Sequence, residues 1–153
     1  MGGALALTVG GLGAWPGAAP AASAQLSASR AETHAAALDA LVGIDPYVDP
    51  SRIDAVRSDF VSVYGSLADD ARTVIDSLLD ALNGPDRVPL AARGNGRQRV
   101  AFLRRAVRGF DGDPASAIAS ARLQAALAFV TNPFYPPESP RRPGPAGYLL
   151  AME

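Results

Sequence analysis

Cysteine and lysine are both absent from the 153 residues, and histidine occurs once. Without thiols the chain cannot form disulfides, attach haem through thioethers, ligate an iron–sulfur cluster or build a thiolate zinc site. Without lysine, all 14 basic side chains are arginine, a pattern of GC-rich coding that carries no chemistry by itself. Excess charge is lacking as well, since 15 acidic residues balance those arginines to a net charge of −1. That balance argues against nucleic acid as a partner, because phosphate binding needs a net basic face. No β-type alternation of useful length and no internal repeat occurs.

The N-terminus lacks charge altogether through residue 24. Gly2 to Trp15 is an apolar, Gly/Ala-rich run, and a Pro/Ala stretch then ends in Ala22-Ser23-Ala24. This order predicts a signal peptide over 1–24, cleaved before Gln25, and an exported protein of the periplasm, cell envelope or exterior. The run is too short and glycine-rich to span a bilayer, which takes roughly 20 apolar residues, so no transmembrane span is expected. A weakly apolar core with an Ala-x-Ala end also suits twin-arginine export, although no arginine pair stands before it in this sequence.

Helical punctuation dominates the remainder and predicts an all-α fold, a small bundle of about five helices over 25–131. Ser29-Arg30-Ala31-Glu32 reads as a capping box opening a short Ala-rich helix that Gly43 stops. Asp49-Pro50 opens a second helix, with Ile53, Val56, Phe60 and Val63 at helical spacing. Ser66 restarts the pattern, and Leu67, Ala71, Val74, Ile75, Leu78, Leu79 and Leu82 form the strongest apolar stripe before Asn83-Gly84-Pro85. The third helix is therefore expected in the core, Leu78 included. A fourth helix is expected from about Gly96 to Phe110, with Val100, Leu103, Val107 and Phe110 within about an 80° arc. Asp113-Pro114 opens the fifth, which is apolar nearly all round and is expected to be the most central.

Residues 132–153 differ in kind. Six prolines lie between Pro133 and Pro145, with Phe134, Tyr135, Tyr148, Leu149 and Leu150 among them. Disordered tails lack aromatics and aliphatics, so this segment is expected to be extended and ordered, laid over the helices or over a partner.

The search for chemistry returns little. His34 lies in the first turn of an Ala-rich helix and is expected at the surface. The pairs Asp69/Asp70 and Asp111/Asp113 sit at helix starts, where acids favour the macrodipole without catalysing anything. Asp45, Asp49 and Asp54 lack the glycine and closing glutamate of a calcium loop. There is no Gly-x-Ser-x-Gly elbow, and Gly94-Asn95-Gly96 follows no strand. Catalytic, metal and cofactor-binding residues are thus all expected to be absent, and the chain is expected not to be an enzyme by itself.

What remains is an arginine cluster, Arg93, Arg97, Arg99, Arg104, Arg105 and Arg108. Of these Arg97, Arg104 and Arg108 fall within about 40° on the fourth helix. A basic stripe bordering an apolar one suits docking to an acidic protein surface or anionic head groups. With Phe134, Tyr135 and Tyr148, these three arginines are the candidate partner-binding residues.

Three stretches carry a family resemblance: Ala37-Leu38-Asp39-Ala40-Leu41-Val42-Gly43-Ile44-Asp45-Pro46, then Arg99-Val100-Ala101-Phe102-Leu103-Arg104-Arg105, then Asn132-Pro133-Phe134-Tyr135-Pro136-Pro137 leading to Gly147-Tyr148. In this layout the chain resembles the small subunit of membrane-associated flavin-dependent sugar and polyol dehydrogenases, the gluconate 2-dehydrogenase subunit 3 group and its sorbitol and fructose relatives. It departs from the group in lacking the arginine pair and in having Pro145-Ala146 and Leu149-Leu150 around the closing Gly-Tyr. The resemblance implies a non-catalytic accessory subunit that binds a large flavin-containing dehydrogenase subunit, aids its export and reaches the membrane only through partners. The alternative is a stand-alone exported helical protein that binds a lipid or another apolar ligand.

Overall fold

The computed structural model describes residues 24–109 and 112–135. Residues 1–23 of the expected signal peptide, Phe110, Asp111 and 136–153, Tyr148 included, lie outside the described residues. Within them the chain is all-α, with five helices: α1 Ala28–Leu41, α2 Pro50–Tyr64, α3 Asp69–Leu82, α4 Gly96–Arg108 and α5 Pro114–Thr131, plus a single 3-10 turn at Leu90–Ala92.

Most helix starts follow their punctuation. Asp49 accepts a hydrogen bond from the Ser51 amide at 2.8 Å, and Pro50 follows at the first helical position, where its missing N–H costs nothing. Asp113 repeats the device at α5, accepting from the Ser116 amide at 3.0 Å. Asn95 and Gln98 form a reciprocal capping box at α4 (3.1 and 2.9 Å). Two starts differ from expectation. In α1 the cap is Ser27, two residues before Ser29, and it accepts from the Arg30 amide. In α3 the N-cap is Ala68, without a side-chain bond, because the Ser66 hydroxyl donates instead to the Val63 carbonyl at 2.7 Å. Asp69 and Asp70 in the first turn of α3 offset the missing cap by meeting the positive end of the helix dipole.

The centre of the bundle is α1, not α5. Ala36, Ala37, Leu38, Ala40 and Leu41 are all sequestered, and α1 packs against each of the other four helices and the 3-10 turn. Alanine makes this possible: short side chains let neighbours approach from every direction. For the same reason the helix carries little hydrophobic signal. α5 buries Leu123, Ala126, Leu127 and Val130 along its C-terminal part, while Ile118 nearer its start is 56% exposed. α3 also departs from its expected role. Leu79 and Leu82 are fully buried, but Ile75 and Leu78 only partly, and Val74 faces outward.

Because α1 is surrounded, its polar residues are buried too. His34, expected at the surface, is 3% exposed and stacks on Phe60 with ring centroids 4.0 Å apart. Thr33 donates to the Ser29 carbonyl and contacts Asn83 Oδ1 at 3.1 Å. That same oxygen accepts the Leu90 amide at 2.8 Å, so one amide side chain ties α1, the end of α3 and the 3-10 turn together. Gly84 follows at φ +78°, the left-handed conformation that ends α3.

The first residues of the expected C-terminal docking segment belong to the helical domain. Phe134 is buried in the chain's own core, and the Arg52 guanidinium lies 5.2 Å from its ring centroid while donating to the Pro133 carbonyl at 2.7 Å. The Tyr135 hydroxyl donates to Asp45 Oδ2 at 2.6 Å. Phe134 and Tyr135 thus pack against the helical domain. Phe134 and Tyr135 are candidate partner-binding residues in a segment expected to lie over the helices or over a partner. In the structure the turn after α5 brings both side chains back against the chain's own residues, Tyr135 to Asp45 in the α1–α2 loop and Phe134 beside Arg52 in the first turn of α2.

Candidate functional site: an apolar groove and an arginine face

α3 and α5 form the most extensive helix pair in the bundle, yet the pair is not filled along its whole length. Where large residues face each other it is closed. Toward the start of α5 the facing residues shrink to Ala81 on α3, Ala115 and Ala119 on α5, and Ala106 on α4. The result is an open groove of about 870 Å³, ended by Gly84, Pro85 and Gly109 and reaching in to Leu123. A cavity of this size falls within the range of about 300–1,000 Å³ usual for ligand sites.

One edge of the groove is an ion cluster. Arg30 reaches from α1 to Asp76 (2.9 Å) and Asp80 (2.9 Å) on α3, and the Tyr64 hydroxyl donates to the other oxygen of Asp76 at 2.7 Å. The bond to Asp80 raises the Arg30 pKa further, and burial, followed by the bond to Asp76, raises that of Tyr64. Arg122 lines the groove from α5. Two arginines and two aspartates thus line the channel, and their charges balance. The guanidinium of Arg30 is occupied by carboxylates, so it does not present a free anion site.

Thr73, Ser77, Ser116 and Ser120 line the groove, but His34 does not. Burial, and secondarily the charge of Arg57, lowers the His34 pKa to about 4, so the ring is neutral and stacked at ordinary pH. Among the described residues no three His, Asp or Glu side chains gather to hold a metal ion.

The arginine cluster divides in two. Arg93 is structural: it pairs with Asp86, donates to the Asn83 and Val88 carbonyls and lies 3.6 Å over the Phe102 ring. That pairing also lowers the Asp86 pKa. Arg99 donates to the Ala91 carbonyl at 3.0 Å and fixes the 3-10 turn. Arg97 and Arg104 instead wall a slot of about 400 Å³ completed by Ile44, Val100 and Ala101. Arg108 is exposed in the last turn of α4, where a cation meets the negative end of the helix. The structure thus brings Arg97 and Arg104 together, and places Phe134 and Tyr135 in a separate, self-packed cluster.

Sequence reasoning missed the α3/α5 groove. Its one signal was the spacing of Ala115 and Ala119, small residues one turn apart on a helix read as uniformly apolar. No helix among the described residues is long and apolar enough to cross a membrane. In comparisons with known proteins, no family model, no curated protein and no solved structure matches this chain.

Proposed function

We propose that the chain is a non-catalytic binding protein that is exported and acts as the accessory subunit of a flavin-dependent sugar or polyol dehydrogenase. In this reading an apolar segment of the large subunit lies in the α3/α5 groove. The observation that carries it is the groove itself, whose alanine and glycine lining allows close approach of a partner's backbone and side chains. Its balanced charge admits an apolar segment without leaving a buried ion unpaired. The sequence resemblance supplies the identity of the partner, and the charge-free apolar run before Gln25 supports export.

The test is co-expression of the full chain with a large flavin oxidoreductase from the same genome, followed by affinity purification. The expected result is a stable complex from the parent chain and none from Ala119→Leu, whose longer side chain fills the groove. A complex that survives Ala119→Leu and Ala115→Leu together removes the groove from the interface.

The groove volume favours one further reading, a free apolar ligand such as a lipid chain. Organic extraction and mass spectrometry of the purified protein distinguish the two. A stoichiometric lipid that Ala119→Leu displaces supports the ligand reading over the subunit reading.

A further inference from the structure

We propose that the α3/α5 groove binds a long-chain carboxylate, with the hydrocarbon tail along the alanine-lined floor and the head group on Arg122. The inference rests on the reading of that groove as a site for a free apolar ligand, and it adds the chemistry of the ligand's polar end.

The two arginines of the groove differ in their surroundings. Arg30 is saturated: Asp80 accepts from its Nε at 3.1 Å and from one terminal nitrogen at 2.9 Å, and Asp76 pairs with the other at 2.9 Å. Arg122 is exposed, and among the described residues it has no ion pair or hydrogen bond. Its own helix supplies none, because α5 contains no acid and the positions one turn away are Ile118, Ala119, Ala125 and Ala126. Arg122 is therefore a cation at the groove whose planar fork of N–H donors is open to a carboxylate, which such a fork holds bidentately.

The apolar surface beside it has the matching layout. Ala115, Ala119 and Arg122 follow one another at i, i+4 and i+7 on α5, so the alanines and the guanidinium share one face of the helix. From Ala115 to Arg122 the helix rises about 10 Å. Ala81 and Ala106 complete the small-residue floor, and at about 870 Å³ the groove has room for a whole alkyl chain. A molecule with one anionic end and one apolar tail meets these surfaces in order, the tail over the alanines and the head at residue 122. A neutral chain would gain nothing from Arg122, and a cationic head would face it with both aspartates already held by Arg30. The space is a single channel between two helices, which suits one chain better than the paired chains of a diacyl lipid.

The probe is dodecanoate below its micelle concentration, titrated by calorimetry against the full chain, with dodecanol and dodecyltrimethylammonium as controls. The expected result is saturable binding of dodecanoate at a single site, weaker binding of the alcohol and weakest binding of the cation. Arg122→Gln should weaken dodecanoate about threefold to fivefold, the upper range for a solvated ion pair, and leave dodecanol unchanged, while Arg122→Lys keeps most of the affinity. Shortening the chain to decanoate should cost up to about tenfold, and Ala119→Leu should abolish binding of acid and alcohol alike. The head-group assignment is overturned, with the groove as an apolar site left standing, if dodecanol binds as tightly as dodecanoate or if Arg122→Gln binds dodecanoate as the parent does. The inference falls together with the free-ligand reading if neither compound binds, or if Ala119→Leu with parental helical content binds both unchanged. A large-subunit complex that Ala119→Leu abolishes, in a chain that does not bind dodecanoate, assigns the groove to the partner and overturns the inference alone. Binding that appears only after residues 136–153 are removed assigns it to the chain's own C-terminal segment, and a dimer that Ala119→Leu dissociates and dodecanoate leaves intact assigns it to a second copy; either outcome overturns the proposal.

Discussion

α1 and α5 are the two alanine-rich helices of this bundle, and neither shows a distinct apolar stripe, yet the structure uses them in opposite ways. In α1 the alanines at 36, 37 and 40 are enclosed by neighbours, so their shortness becomes close packing. In α5 the alanines at 115 and 119 face α3 across an opening, so the same shortness becomes a groove. Alanine content therefore says that something approaches closely. Whether the approaching surface belongs to the same chain depends on what stands opposite.

The sharpest way to break this contrast is truncation of the leucine at the heart of α1. Leu38→Ala should cost about 2–5 kcal/mol by chemical denaturation, the range for emptying a fully buried leucine site. Leu78→Ala on α3 should cost about 1 kcal/mol, because that side chain is only half-buried and its removal leaves no enclosed void. Equal losses would place the centre of the bundle on α3 after all.

The next largest effect is on pH dependence. The His34 pKa is lowered from 6.5 to about 4 in the folded chain, so between those values the unfolded chain binds the extra proton. Stability contributed by the neutral ring is complete above pH 6.5, falls as pH drops through this window and is lost below about 4, by about 3 kcal/mol in all. Carboxylates contribute acid losses of their own, so the quantity to measure is the difference between the parent chain and His34→Gln. That variant should lack this part of the slope. Identical slopes would put His34 in water, as the sequence reading had it.

A matched pair of insertions tests the alanines directly. Ala37→Leu should destabilise by about 1–3 kcal/mol, since the site is closed and the added methyl groups have nowhere to go. Ala119→Leu should change stability by no more than about 0.5 kcal/mol, because the groove has room for it. A small effect is expected at the rim as well: Arg30→Gln should cost about 0.5 kcal/mol or less, as Arg30 and Asp80 are partly solvated.

How much of this was legible in the sequence follows from where each signal arises. The starts of α2 and α5 were readable because an Asp cap and a following proline act within one turn of chain. The end of α3 at Asn83-Gly84 was readable for the same reason. The centrality of α1 was not, because alanine adds little to any apolar stripe and its burial depends on four other helices. His34 was misplaced with α1, since a residue's exposure follows that of its helix. Arg97 and Arg104 could be placed on one face from spacing alone, but the slot between them needed Ile44, which arrives from another part of the chain. Phe134 and Tyr135 were read by their proline surroundings, which say the segment is extended and not what it lies on.

The two Asn-Gly junctions set how this protein ages. An asparagine followed by glycine is the dipeptide most open to attack of the following amide nitrogen on the side chain, which yields succinimide and then isoaspartate, and such residues are thermolabile. At Asn83 the attack is blocked: the side-chain oxygen accepts the Leu90 amide and contacts Thr33 Oγ1, and the Gly84 amide is bonded to the Ala81 carbonyl. Asn95 is exposed, and Gly96 begins α4 with its amide in the unpaired first turn. Deamidation during storage should therefore appear first at Asn95, while isoaspartate at Asn83 would report that α1, α3 and the 3-10 turn had come apart. Peptide mapping of old samples would in this way yield a chemical record of past unfolding.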